Sequence, residues 1–254
     1  MPVPVIIGVG AVAAATLAWW KAKQPTDDSG ETPDPEGPPP DDLVEEPAMP
    51  NIQNDWSELF EELHGDVDVN FLQRWIANES NGGNPCAVGS VAQLRSQGFA
   101  REAGIGQLYF ETATTTRFGV TSSDLRSACS TTDETAVREL TDDEKRLQVN
   151  SLVAMAASFI AIANQRLGAA NLSWSDTEVL ALAKLQHALP ALSKTVLPAA
   201  VAAGQAENWA SFRNFVIGLT ADEMNAIDRG VTPYIKDPGM PKLFNNAERT
   251  AGIQ

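Results

Sequence analysis

Between Gln24 and Pro50 the chain carries nine acidic residues, no basic residue and repeated prolines. So few apolar residues stand among them that no core can form, and the stretch predicts an extended, disordered linker that gives reach. It divides the 254 residues into three parts: an apolar segment over 1–23, the acidic linker over 24–50, and a body over 51–254. Any compact fold has to be built from the body.

Val3 to Trp20 is an apolar run of eighteen residues without a charge. That is the short end of what spans a bilayer. Trp19 and Trp20, followed by Lys21 and Lys23, resemble an interfacial aromatic pair with a basic stop. Residues 3–20 therefore predict a membrane helix. A helix buried among virion or envelope proteins is the alternative, and so is a signal peptide, although no Lys or Arg precedes the apolar run. The lysines follow the run, so the positive-inside rule alone would leave the body in the cytoplasm; orientation stays open.

The formal net charge is −15, and residues 51–254 carry 24 acids against 16 bases. This balance excludes nucleic acid as the main partner, which needs clustered Lys and Arg. His64 and His187 stand far apart and no His/Cys cluster has ligand spacing, so neither a metal nor another cofactor is expected.

The body reads as mainly α. Asp55–Leu63 is a short amphipathic stretch. Thr141-Asp142-Asp143-Glu144 opens a long apolar run through about Leu167, expected to be the central buried helix. Ser175-Asp176-Thr177-Glu178 opens another, which Pro190 kinks or ends. Further helices are expected near 191–203, 206–218 and 220–228, with short strands conceivable at 86–90 or 117–121.

One helix carries chemistry. Leu72, Trp75, Ile76 and Glu79 fall at i, i+3, i+4 and i+7, so an acid shares the face of three large hydrophobes. Burial disfavours an ionised carboxyl group, and that is how a general acid is kept protonated. The polar turn Ser80-Asn81-Gly82-Gly83-Asn84-Pro85 follows and would open into a cleft. On this pattern alone, Glu79 could equally bend out to solvent.

The spacing Glu79-Ser80-x-Gly82-x-Asn84-Pro85 resembles the Glu-Ser…Asn-Pro signature of lytic transglycosylases and goose-type lysozyme relatives. Gly104-Ile105-Gly106-Gln107-Leu108 is similar to that family's Gly-Leu-Met-Gln-Leu block, and Thr112-Ala113 follows at its offset. Leu147-Gln148-Val149-Asn150, with Met155 and Phe159-Ile160, resembles the helix that carries the family's Asn. The blocks cover about residues 68–190. Two departures mark a divergent member of bacteriophage type. A short helix over Val91–Gly98 lengthens the loop, which also blurs the match of Ser90 to the family's Ser. The Tyr-Asn-Ala-Gly element survives only as Lys184-Leu185-Gln186-His187-Ala188.

The resemblance implies a lysozyme-like helical domain acting on peptidoglycan glycan strands. In this family one carboxyl group, here Glu79, protonates the glycosidic oxygen between N-acetylmuramic acid and N-acetylglucosamine. It then deprotonates the muramoyl 6-hydroxyl to close a 1,6-anhydro ring, so the two-carboxylate pattern of hydrolysis is not needed. A non-catalytic peptidoglycan-binding protein and a hydrolytic muramidase are the alternatives.

The other candidates are weighed against structural roles. Gln107 would bind substrate or orient Glu79, or be a buried amide. Ser80 would touch sugar or cap its helix. One of Tyr109 and Phe110 would stack on a sugar while the other fills the core. Asn150 and His187 are cleft candidates, against a helix-to-helix hydrogen bond and a core histidine. Glu102 and Glu111 are the only other acids near the motif, and Glu111 is weighed as a second carboxylate against a surface charge. Cys86 and Cys129 form an even count, which outside the cytoplasm favours a disulfide contributing about 3–4 kcal/mol.

Overall fold

A computed structural model of the chain describes residues 55–231, 233 and 239–253. The N-terminal apolar helix and the linker expected above lie outside these residues. The described part is mainly helical.

Helix α1 (Ser57–Leu63) leads into α2 (Val69–Glu79). Asp68 starts α2 by accepting the Phe71 N–H at 2.7 Å, an N-cap that satisfies one orphan amide. The three hydrophobes of the stripe read from the sequence, Leu72, Trp75 and Ile76, are buried, and Phe71 is buried beside them. Helix α3 (Val91–Gln97) forms where a short helix was expected, capped by Ser90 and ended by Gly98 in left-handed backbone. Strand β1 (Glu102–Ala103) pairs antiparallel with β2 (Leu108–Tyr109), Glu102 opposite Tyr109 and Ala103 opposite Leu108. Neither expected strand forms as such. Residues 86–90 are loop, and 117–121 holds only the isolated Arg117–Val120 bridge. Two-residue strands are too short to show an alternating pattern.

Helix α4 (Ser122–Leu125) is a single turn. Helix α5 (Asp142–Ala169) runs 28 residues, and α6 (Asp176–Ala188) follows after a short loop. Thr141 with Glu144, and Ser175 with Glu178, close capping boxes at the positions their sequences signalled. Helix α6 stops before Pro190, and a π-helical turn (Leu192–Val196) runs into α7 (Leu197–Ala202). Then come α8 (Trp209–Gly218), α9 (Ala221–Ile227) and α10 (Gly239–Ala251).

By length and composition α5 could cross a membrane. Its hydropathy comes partly from alanines on the solvent face, including Ala154, Ala157 and Ala161, while Leu152, Met155, Ala156 and Ala163 are buried. The helix packs against α6, α1 and α4 within the fold.

Two apolar cores share α5. One gathers Trp56, Phe60, Phe71, Trp75, Leu108, Phe110 and Leu152. The other gathers Leu182, Leu185, Leu192, Trp209, Phe212 and Phe244. Phe159 and Ile160 on α5 touch both. Helix α10 packs on α6 and α2. There Arg74 donates to the Thr250 and Ala251 carbonyls at 2.8 and 3.2 Å, and Asn78 to the Thr250 hydroxyl at 2.8 Å. A cation on the last carbonyls of a helix suits its dipole. The last turn of α2 is thereby fixed at the seam between the cores.

Candidate functional site

Glu79 ends α2, and its side chain is only 5% exposed. The expected burial of this carboxylate is present. Ser80, one residue on, donates its hydroxyl to the Ile76 carbonyl at 3.0 Å and the Ile105 carbonyl at 2.8 Å. The hydroxyl is buried in these bonds, so Ser80 closes the helix and does not reach a sugar. In the polar turn, the Gly83 carbonyl accepts Trp56 Nε1–H at 2.8 Å, and a Cβ at Gly83 would lie 2.3 Å from that nitrogen. The turn therefore packs against Trp56 at the start of α1.

The β1–β2 hairpin brings its block to the same place. Gly104 has φ 78°, and a Cβ there would lie 2.6 Å from Gln148 Oε1. That oxygen accepts the Ile105 N–H at 3.0 Å, while Gln148 Nε2 donates to the Leu125 carbonyl at 2.9 Å. Gln107 is buried and takes left-handed backbone, φ 53°. Its Nε2 donates to the Ala87 and Gly104 carbonyls at 2.7 and 3.1 Å, so its amide N–H groups go to the loop and not to Glu79. Its Oε1 is buried without a partner among the described residues. An unpaired buried acceptor costs about 1–3 kcal/mol, and a bound ligand or water completes such a group.

The partner of Glu79 was not foreseen. Lys184 on α6, 2% exposed, donates from Nζ to Glu79 Oε1. The ammonium also lies 4.4 Å from the centre of the Trp75 ring, which favours a cation. One turn further, His187 Nδ1 lies 3.2 Å from Lys184 Nζ, and His187 Nε2 lies 3.4 Å from the Gln107 carbonyl. An ammonium only donates, so Nδ1 accepts and the proton of a neutral ring sits on Nε2. The ring packs on Trp75 and Phe159, with centroids at 5.0 and 5.8 Å.

His187 faces a cavity of about 270 Å³, whose apolar walls are Tyr109, Phe118, Met155 and Phe159. Its polar lining includes Glu102, Gln107 and Arg117. Glu79 connects to this cavity through Lys184 and His187. Tyr109 lines the cavity, while Phe110 is the one of the two aromatics that is fully buried in the core. Glu111 does not line it: its side chain is 70% exposed and pairs with Arg117 at 3.9 Å. Glu102 takes that place. Opposite Tyr109 in the hairpin, it is carried there by a pairing that the sequence did not announce.

Asn150 is not part of the site. It is exposed, five residues and about 140° around α5 from the cavity-lining Met155. The buried amide of this helix is Gln148, two residues earlier.

Cys86 and Cys129 are joined in a disulfide, with Cα atoms 5.6 Å apart and 43 positions between them in sequence. Arg126 braces the closed loop by donating to the carbonyls of Cys86, Ser130 (2.6 Å) and Asp133 (3.0 Å). Burial lowers the pKa of this guanidinium. The bridge adjoins Ala87, whose carbonyl holds Gln107.

Comparison with protein-family models, with curated proteins and with solved structures returned no match.

Proposed function

We propose that the chain cleaves the β-1,4 bond between N-acetylmuramic acid and N-acetylglucosamine in peptidoglycan, with Glu79 as its single acid and base. The observation that carries this reading is a buried carboxyl group at the end of a rigid helix, linked through two side chains to an aromatic-walled cavity. The order of the Glu-Ser…Asn-Pro and Gly-Ile-Gly-Gln-Leu blocks, and their resemblance to lytic transglycosylases, supports it. Transfer of a proton from Lys184 Nζ to Glu79 Oε1 leaves a neutral acid and a neutral amine. With Lys184 and His187 moved aside by the bound strand, Glu79 then protonates the glycosidic oxygen and the C1–O bond breaks. The resulting carboxylate takes the proton of the muramoyl 6-hydroxyl, whose oxygen bonds to C1. No water is consumed. A membrane- or virion-held segment over 3–20 and the acidic linker would present this domain to the wall in the periplasm, for local opening during phage entry or envelope assembly.

The test is a peptidoglycan gel run with the full chain. Wild type should clear it, and Glu79→Gln should not while keeping its helical circular dichroism. Equal clearing by both would remove Glu79 from the chemistry.

Two observations favour other readings. The Lys184 contact occupies the Glu79 carboxyl group, which suits a body that binds peptidoglycan without turning it over; such a protein would bind the wall and leave the gel uncleared. Glu102 places a second carboxyl group at the cavity, as water activation in a muramidase would need. Reducing ends, heavier by one water than anhydro ends, would identify that outcome by mass spectrometry.

A further inference from the structure

Among the described residues, four that are not glycine have clearly positive φ: Asn81, Gln107, Phe118 and Asn171. Asparagine tolerates this backbone; glutamine and phenylalanine do so poorly. The two poorly suited residues both line the one cavity already described.

Phe118 is the sharper case. Arg117 and Val120 exchange both backbone hydrogen bonds, at 2.8 and 3.0 Å. Phe118-Gly119 is therefore a two-residue turn, with φ 47° and 84°. Such a turn favours Asn-Gly or Asp-Gly. Phenylalanine here strains the backbone, and with 41% of its surface exposed it recovers little by burial. A strained, exposed aromatic is poor design for stability, and strain of this kind gathers where a ligand is held.

We infer that Phe118 is a stacking platform for a pyranose ring of a bound N-acetylated glycan strand. The aromatic face carries partial negative charge and meets the C–H face of a sugar. Tyr109 and Phe159 wall the same cavity, and the Gln107 side-chain oxygen Oε1, without a partner among the described residues, supplies an acceptor for a sugar hydroxyl or N-acetyl N–H. Arg117, beside the platform and paired with Glu111 at 3.9 Å, lines the same cavity and offers a cation for an acidic substituent of the strand. The identity of the glycan rests on the peptidoglycan reading above; the platform itself rests on the turn.

The test uses the full chain, purified peptidoglycan sacculi in a sedimentation assay, and thermal melts. Phe118→Asn suits the turn, so its Tm should equal or exceed that of wild type while sacculus binding weakens about tenfold. Phe118→Tyr should keep binding. Wild-type binding matched by Phe118→Asn overturns the platform and leaves the peptidoglycan reading standing. A lower Tm for Phe118→Asn also overturns it, because Phe118 would then serve the fold. No sacculus binding by wild type sinks the peptidoglycan reading and the inference with it.

Discussion

At the scale of single residues, the Glu79–Lys184 contact decides most. Removing one partner of a buried pair strands the other charge and costs about 3–5 kcal/mol. Urea denaturation of Glu79→Gln, Lys184→Met and the double variant should show two costly single changes and a double variant that recovers much of the loss. Clearing of a peptidoglycan gel by Lys184→Met separates two roles. Activity falls if Lys184 supplies the proton, and rises if it only occupies the Glu79 carboxyl group. Glu79 was legible because a period of three and four residues places it beside Leu72, Trp75 and Ile76 on one short helix. Lys184 was not, because the contact joins residues 105 positions apart and a lone lysine on an apolar helix reads as one that reaches for solvent. Glu102 was hidden for the same reason, its place being set by a hairpin of two-residue strands. Asn150 was misplaced because a resemblance fixes an approximate offset, whereas the helix phase turns Gln148 inward.

At the scale of elements, termini were the clearest signals. Thr141 and Ser175 begin helices where their hydroxyls and the acids three residues on close capping boxes. Thr141→Ala should cost about 1 kcal/mol in urea denaturation. The loop from Cys86 to Cys129 has little regular structure of its own beyond α3, α4 and the hairpin, and is held by the disulfide and Arg126. Replacing both cysteines with serine should remove roughly 4 kcal/mol from unfolding in urea. The cysteine count suggested this bridge. The brace by Arg126 had no local signature, since it grips backbone carbonyls. The π-helical turn after Pro190 and the amphipathic α10 were likewise unannounced, one a local backbone adjustment and the other lying beyond the last recognised motif.

At the scale of the molecule, α5 joins two cores and the candidate site lies on their seam. The hydrogen bonds that cap its helices also set its response to acid. Arg138, Ser127 and the Thr141 backbone N–H hold the Glu144 carboxyl well below the ordinary carboxylate range. The Thr121 hydroxyl and backbone N–H lower Asp124, the Thr220 backbone and hydroxyl lower Glu223, and at Glu178 bonds from Ser175 and Trp209 outweigh burial, which pushes the other way. A lowered folded pKa adds stability that is present above the unfolded value, about 3.9–4.3, and is lost as pH falls below it. Melting temperature should hold from pH 7 to about 5 and then fall steeply, and less steeply in Thr141→Ala. The most direct measurement of function is mass spectrometry of fragments released from purified sacculi by the full chain and by Glu79→Gln/Lys184→Met, which removes the acid without stranding a charge. The expected result is 1,6-anhydromuramoyl ends from wild type and none from the double variant. Wild type that releases nothing, or a double variant that releases the same fragments, would contradict cleavage by Glu79.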